Sequence, residues 1–186
     1  MIEFIPDPNS PYLIDECKIR GNADRVVIPE NEHELSSIVR EANGSGTNIT
    51  ISGLRTGLCG GSVPYGGILI SMERFSSMIG IGKDDDGYFL RVQPCVTIDD
   101  IVRTVQLKRI DGFQDITPNA CSEFRSDKCK FFYPVDPTEM RGSIGGNISA
   151  NASGARTFRY GPTRNWVKAL RLMLTDGRVI RIERGE

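Results

Sequence analysis

Ser52 to Gly61 reads Ser-Gly-Leu-Arg-Thr-Gly-Leu-Cys-Gly-Gly, with four glycines in ten positions. Few side chains there block approach to the main chain. Glycine also reaches positive φ without steric cost, so backbone N–H groups can converge on one ligand. The run follows a β-like segment, Asn48 to Ile51, and ends in Ser62-Val63-Pro64. A loop of this kind at the end of a strand suits a diphosphate. In isolation the same composition serves equally well as a plain surface loop. No Gly-Lys-Ser/Thr follows, so it is not a Walker A loop, and the G-x-G-x-x-G order of the dinucleotide fingerprint is absent.

A second stretch shifts the balance. Between Tyr133 and Gly161 stand Pro134-Val135-Asp136-Pro137, Gly142 to Asn147 (Gly-Ser-Ile-Gly-Gly-Asn), Asn151-Ala152-Ser153-Gly154 and Tyr160-Gly161. Small residues, hydroxyls and amides dominate. Two such stretches far apart in one chain suggest a cleft with backbone donors on both walls. With Thr56-Gly57-Leu58-Cys59-Gly60-Gly61, Asp136-Pro137, Ile144 to Asn147, Asn151 to Gly154, Tyr160-Gly161 and Thr163-Arg164 in this order, the sequence resembles a known domain. It is the FAD-binding (PCMH-type) domain of the vanillyl-alcohol oxidase family, in its glycolate oxidase/D-lactate dehydrogenase branch. The likeness runs from about Val26 to Ile182.

The resemblance implies an α+β fold: a small parallel β-α-β lobe to about residue 70 and a second, mainly antiparallel lobe from about 71. It implies FAD, held by main-chain N–H groups and a few hydroxyls or amides. Gly53, Leu54, Arg55, Thr56, Gly57, Gly60 and Gly61 are expected around the diphosphate. Pro134, Ser143, Gly146 and Asn147 are expected on the facing wall. Some family members attach FAD through a histidine in the loop; Thr56 holds that place here, which implies non-covalent FAD. A full-length relative would oxidise a 2-hydroxy acid such as D-lactate or glycolate. It would pass electrons to a quinone, a cytochrome or an electron-transfer flavoprotein, and a cap domain after this one would select the substrate. The chain is expected to be an N-terminal fragment without that cap, inactive alone. The rival readings are an NADPH-dependent reductase of the enolpyruvyl-glucosamine type and a non-catalytic flavin-carrying module or remnant.

Two departures from the family pattern stand out. Leu54 and Arg55 occupy positions where glycine is usual; the Arg55 guanidinium could instead form charge-assisted hydrogen bonds to phosphate. Cys59 stands where serine is common.

Composition removes several classes. At 186 residues with net charge −1, the chain is long enough for one sizeable domain and is no general nucleic-acid binder. No apolar run approaches the roughly 18–20 residues that span a bilayer. The N-terminus has neither a basic region nor a long apolar one, so it is not a secretory signal. Five cysteines without a C-x-x-C pair fit reduced thiols and a cytoplasmic setting, with membrane association at most peripheral. From Arg141 onward basic residues outnumber acidic ones, which is a solvated face or an offset to ligand phosphates. His33 is the only histidine; in the first turn of a helix it reads as a solvated residue. One histidine leaves no Ser/His/Asp or His-based metal site.

In order, residues 1–24 carry no clear period and read as a loosely ordered lead-in before a domain over 25–186. Val26-Val27-Ile28 reads as a buried strand. Asn31 and Glu34 form an N-cap pair for a helix with Leu35, Ile38, Val39 and Ala42 on one face, ended by Gly44 and Gly46. Ile68 to Ser71 reads as a strand, and Asp84-Asp85-Asp86-Gly87 as a hairpin turn rather than a calcium loop. Thr97 caps a helix with Ile98, Ile101, Val102 and Val105 inward. Residues 109–130 read as a polar insertion. Trp166 to Thr175 and Arg178 to Ile182 read as a closing hairpin around Asp176-Gly177. The segment from Ser143 reads as a helix start whose free N–H groups would suit an anion.

Overall fold

A computed structural model describes residues 1–185. The chain divides into two compact units, residues 1–75 with 163 onward, and residues 76–162.

In the first unit, β1 (Ile2–Phe4), β2 (Arg25–Ile28), β3 (Ile49–Ser52) and β4 (Ile68–Ser71) form one sheet in the order β1-β2-β4-β3. β4 pairs in parallel with both β2 and β3. The connection from β2 to β3 is α1 (Glu32–Ser45). Asn31 caps it, its side chain accepting the Glu34 N–H at 2.9 Å, while the Glu34 carboxylate accepts the Glu30 N–H at 2.9 Å. The helix runs through Gly44 and stops at Gly46, which takes φ 66° and returns its N–H to Ala42 and Asn43. Leu35, Ile38, Val39 and Ala42 pack on Val27, Ile68, Ile70 and Phe75.

The other face of the sheet, Val26, Ile28 and Leu69, needs its own cover. Phe4, Tyr12 and Ala23 supply it. The lead-in is therefore not loose, contrary to expectation. Ile2–Phe4 is an antiparallel edge strand on β2. Phe4 and Tyr12 meet edge to face at 5.5 Å. Aperiodic sequence hid this, because two aromatics rather than a stripe do the covering.

In the second unit, β5 (Met78–Asp84) and β6 (Gly87–Val92) form the expected antiparallel hairpin. After α2 (Ile98–Leu107), capped by Thr97, comes β7 (Gln114–Asp115), parallel to β5. α3 (Ala120–Ser126) follows. Residues 109–130, polar in overall composition, nonetheless contribute to the core. Ile110, Ala120 and Phe124 are buried with Ile81, and Tyr88, Phe131 and Phe113 close around them. The apolar residues are spread over a loop and a short helix on either side of a polar two-residue strand, so no single period reveals them. A second cluster joins Val96, Ile98 and Ile101 to Ile144 of α4 (Ile144–Ser149). α5 (Thr157–Tyr160) is a single turn.

The chain then returns to the first unit through a 3₁₀ turn, Thr163–Trp166, and the hairpin β8 (Ala169–Met173) with β9 (Val179–Glu183). Met173 packs against the α1 core, and the Ser36 hydroxyl donates to the Gly177 carbonyl at 2.8 Å. Among the described residues, no helix is long and apolar enough to cross a membrane.

Candidate cofactor site

The Gly-rich loop leaves the carboxyl end of β3, where Ser52 is fully buried. From Gly53 to Gly61, among the described residues, no backbone N–H donates to another group of the chain. These donors are not sealed in the core, since every residue of the run is half-buried or exposed. Nor does packing require Gly57 or Gly61 to be glycine. A methyl group on Gly61 would meet no atom within 4 Å, and one on Gly57 only an Asp15 oxygen at 4.0 Å. Gly60 is the one residue of the four held in the left-handed region, at φ +70°. Unspent donors and open space above glycine fit the chemistry of an anionic diphosphate.

Residues of the N-terminal segment shape this loop from below. The Glu16 N–H donates to the Arg55 carbonyl at 3.2 Å. The Ser62 hydroxyl donates to Asp15 Oδ2 at 3.1 Å, and the Cys17 N–H to Asp15 Oδ1 at 2.9 Å. Burial works to raise the Asp15 pKa, but the hydrogen bonds from Cys17 and Ser62 outweigh it and hold the carboxyl below its ordinary value. Asp15, Tyr12 and Cys17 lie in a segment without period or motif, and nothing in the sequence marked them as neighbours of the loop.

Arg55 takes a left-handed φ of 58°. Its guanidinium folds back over the Tyr12 ring, 4.7 Å from the centroid, and stands 3.9 Å from a Glu73 oxygen. Glu73 also accepts the Tyr12 hydroxyl at 3.0 Å. Leu54 and Thr56 are half-buried beside it.

The second unit differs from expectation. Ser143 does cap α4, its hydroxyl accepting the Gly146 N–H at 3.2 Å. The N–H groups of that helix start are not free, however. Ile144 donates to the Val96 carbonyl and Gly145 to the Pro94 carbonyl, both at 2.8 Å. The segment at 94–96 has taken the donors that an anion would use. Asn147 is buried and donates from its side chain to the Ser143 carbonyl at 2.9 Å. Pro134 is buried and has no N–H to offer.

The glycines here serve packing. A methyl on Gly145 would fall 2.7 Å from Pro94 Cβ, and one on Gly154 only 1.5 Å from the Asp136 carbonyl oxygen. That contact brings Asp136-Pro137 against Asn151 to Gly154, with Ala155 donating to the Asp136 carbonyl at 3.2 Å and Arg156 paired to the Asp136 carboxylate at 3.4 Å. His33 is exposed on α1. It lines a depression of about 340 Å³ with Glu32, Ser36, Ser37, Arg40, Gly177 and Val179, which includes none of the expected site residues.

Comparison with known proteins gives the family. The chain is 30% identical over 177 residues to a D-lactate dehydrogenase of Anaerostipes hadrus, covering 94% of this chain and 32% of that protein. It is 32% identical over 160 residues to the glycolate oxidase subunit GlcD of Bacillus subtilis, covering 85% and 29%. A D-lactate dehydrogenase of Archaeoglobus fulgidus is 32% identical over 188 residues, covering 98% and 37%. The chain thus spans about a third of the length of the curated relatives it matches. Its fold is that of a chitooligosaccharide oxidase (TM-score 0.69, 13% identity, 92% of this chain and 32% of that one). It is also that of 6-hydroxy-D-nicotine oxidase from Arthrobacter nicotinovorans (TM-score 0.68, 17% identity, 98% and 35%). A sequence model of the FAD binding domain matches residues 23–122 and 125–183. With most of its length inside that match, the chain belongs to the FAD binding domain family of flavin oxidoreductases.

Proposed function

We propose that this chain is the FAD-binding portion of an oxidoreductase acting on a 2-hydroxy acid, and that it holds FAD without a covalent bond. The observation that carries the reading is the run of unspent N–H groups from Gly53 to Gly61, with open space beside Gly57 and Gly61 that internal packing does not fill. Gly53, Leu54, Arg55, Thr56, Gly57, Gly60 and Gly61 take the diphosphate in this reading. Pro134, Ser143, Gly146 and Asn147 are the contact set of the second unit. They would act through side chains, carbonyls and surface, because the α4 N–H groups are committed.

FAD, when bound, supplies the two-electron chemistry of alcohol oxidation; the chain supplies binding and electrostatics. Thr56 offers no nucleophile of the kind that histidine provides for covalent attachment. Relatives named for D-lactate, glycolate and D-2-hydroxyglutarate support the substrate class. Substrate selection is assigned to a cap domain outside these residues. The electron acceptor is proposed to be a quinone, cytochrome or electron-transfer flavoprotein, and the setting a reducing, cytoplasmic one, consistent with five cysteines that form no disulfide in this structure.

The test is a titration of the purified chain with FAD, followed by acid precipitation. Flavin absorbance should travel with the folded protein and pass wholly into the supernatant on precipitation. A chain that stays colourless through the titration refutes the binding. Flavin kept in the pellet refutes the non-covalent reading.

A further inference from the structure

The first unit carries two thiols at the Gly-rich loop that flavin binding does not use. Cys59 lies within the loop and is exposed; Cys17 is half-buried in the segment beneath it. The Cys17 sulfur lies 3.6 Å from where a methyl on Gly60 would sit, so it rests against the residue that follows Cys59. Bonds on either side hold the two segments together. The Glu16 N–H reaches the Arg55 carbonyl at 3.2 Å. Asp15 takes the Cys17 N–H at 2.9 Å and the Ser62 hydroxyl at 3.1 Å. Residues 15–17 also lie before the stretch matched by the FAD binding domain, which begins at residue 23.

We propose that Cys17 and Cys59 form a reversible disulfide that ties this segment to the loop, made by exchange with a small-molecule disulfide. The Cys59 thiolate, being exposed, attacks the small disulfide RSSR. One RS⁻ leaves and Cys59 is left as a mixed disulfide. The Cys17 thiolate then attacks the Cys59 sulfur, the mixed S–S bond breaks, and the second RS⁻ leaves. Two protein thiols are oxidised to one S–S bond, one small disulfide is reduced to two thiols, and the two protons given up by the cysteines end on them.

A disulfide tolerates only a narrow range of Cβ separations. On either side of Cys59 packing is open: a methyl on Gly61 would meet no atom within 4 Å, and one on Gly57 only an Asp15 oxygen at 4.0 Å. The Cys17 pKa is raised, first by its hydrogen bond to the Asp15 carboxylate and to a smaller degree by Cys59, which marks the two sulfurs as electrostatic neighbours and makes Cys17 the slower, second attacker. Cys95 is buried, and Cys121 and Cys129 belong to the second unit.

Closure would pin the loop whose N–H groups are assigned to the diphosphate, and that consequence rests on the proposed function. The experiment is incubation of the full chain with oxidised glutathione, then peptide mapping by mass spectrometry without reductant. FAD titration of the same samples accompanies it. A peptide pair linked through Cys17 and Cys59 is expected, lost on reduction. In Cys17→Ser the link should be absent and Cys59 should keep its glutathione. Oxidised protein should bind FAD at least tenfold more weakly, with affinity restored by reductant. Wild-type protein that stops at the Cys59 mixed disulfide, or that links Cys59 elsewhere, overturns the proposal. Affinity unchanged by the link overturns its effect on the loop. A chain that forms the link but takes up no FAD when reduced upholds the disulfide and sinks the proposed function; one that binds FAD and forms no link does the reverse.

Discussion

Single residues separate binding from folding in this chain. Gly61 and Gly154 look alike in sequence, yet a methyl on the first meets nothing within 4 Å and one on the second collides with the Asp136 carbonyl at 1.5 Å. Gly61→Ala is therefore expected to leave thermal stability unchanged and, if the loop takes the diphosphate as proposed, to weaken FAD roughly tenfold, or ~1.4 kcal/mol. Gly154→Ala is expected to destabilise by about 1–3 kcal/mol, the cost of overpacking, because backbone must move. Paired melting curves and FAD titrations check both, and a Gly61→Ala protein with undiminished affinity would remove the loop from the binding site.

Arg55 makes a third case. Its left-handed φ of 58° suits glycine, and its guanidinium is engaged with Tyr12. Alanine there keeps the backbone cost and loses the ring contact. Urea unfolding should rank Arg55→Ala below Arg55→Gly by about 1 kcal/mol. If Arg55 swings from Tyr12 to phosphate when FAD binds, Arg55→Ala also loses roughly 1.5–3 kcal/mol of affinity.

At the scale of elements, the starts of α1, α2 and α4 follow capping chemistry, and their surroundings decide what they can still do. α1 and α2 start at Asn31 and Thr97, both with side chains that accept an N–H of the first turn. Asn31→Ala should cost about 1 kcal/mol, read by chemical denaturation. α4 starts as correctly at Ser143, but its donors go to the 94–96 segment. A helix start in sequence thus marks where donors arise and says nothing of who takes them. The stretch at 109–130 teaches the same lesson for burial. Phe124 is 1% exposed and stacks among Tyr88 and Phe131. Phe124→Ala should cost about 3–5 kcal/mol, as for other buried phenylalanines. A loss below 1 kcal/mol would mean the stretch is peripheral after all.

For the molecule as a whole, acid should act through the buried Asp15 carboxylate. Its folded pKa lies below the unfolded value of about 4, so the folded state binds this proton less readily than the unfolded one. The resulting stability is present above about pH 4 and is lost as pH falls through the folded value. Urea midpoints of wild type and Asp15→Asn should converge as pH drops from 7 towards 3; a gap that widens would contradict the assignment.

Sequence alone determined the β-α-β lobe, the hairpin turns, the helix caps and the family. Each rests on chemistry between neighbours in the chain: Asn31 with Glu34, the glycines of residues 53–61, the motifs at Asp136-Pro137 and Ile144 to Asn147. Tertiary structure alone decided which donors stay free, which glycines are packing glycines, that β4 sits between β2 and β3, and that Phe4 and Tyr12 cover the sheet. It also decided that Asp15 and Cys17 lie under a loop some forty residues away. The physical reason is one of range. A cap or a turn is satisfied within four residues, whereas a hydrogen-bond acceptor or a packing partner is drawn from anywhere the fold brings close.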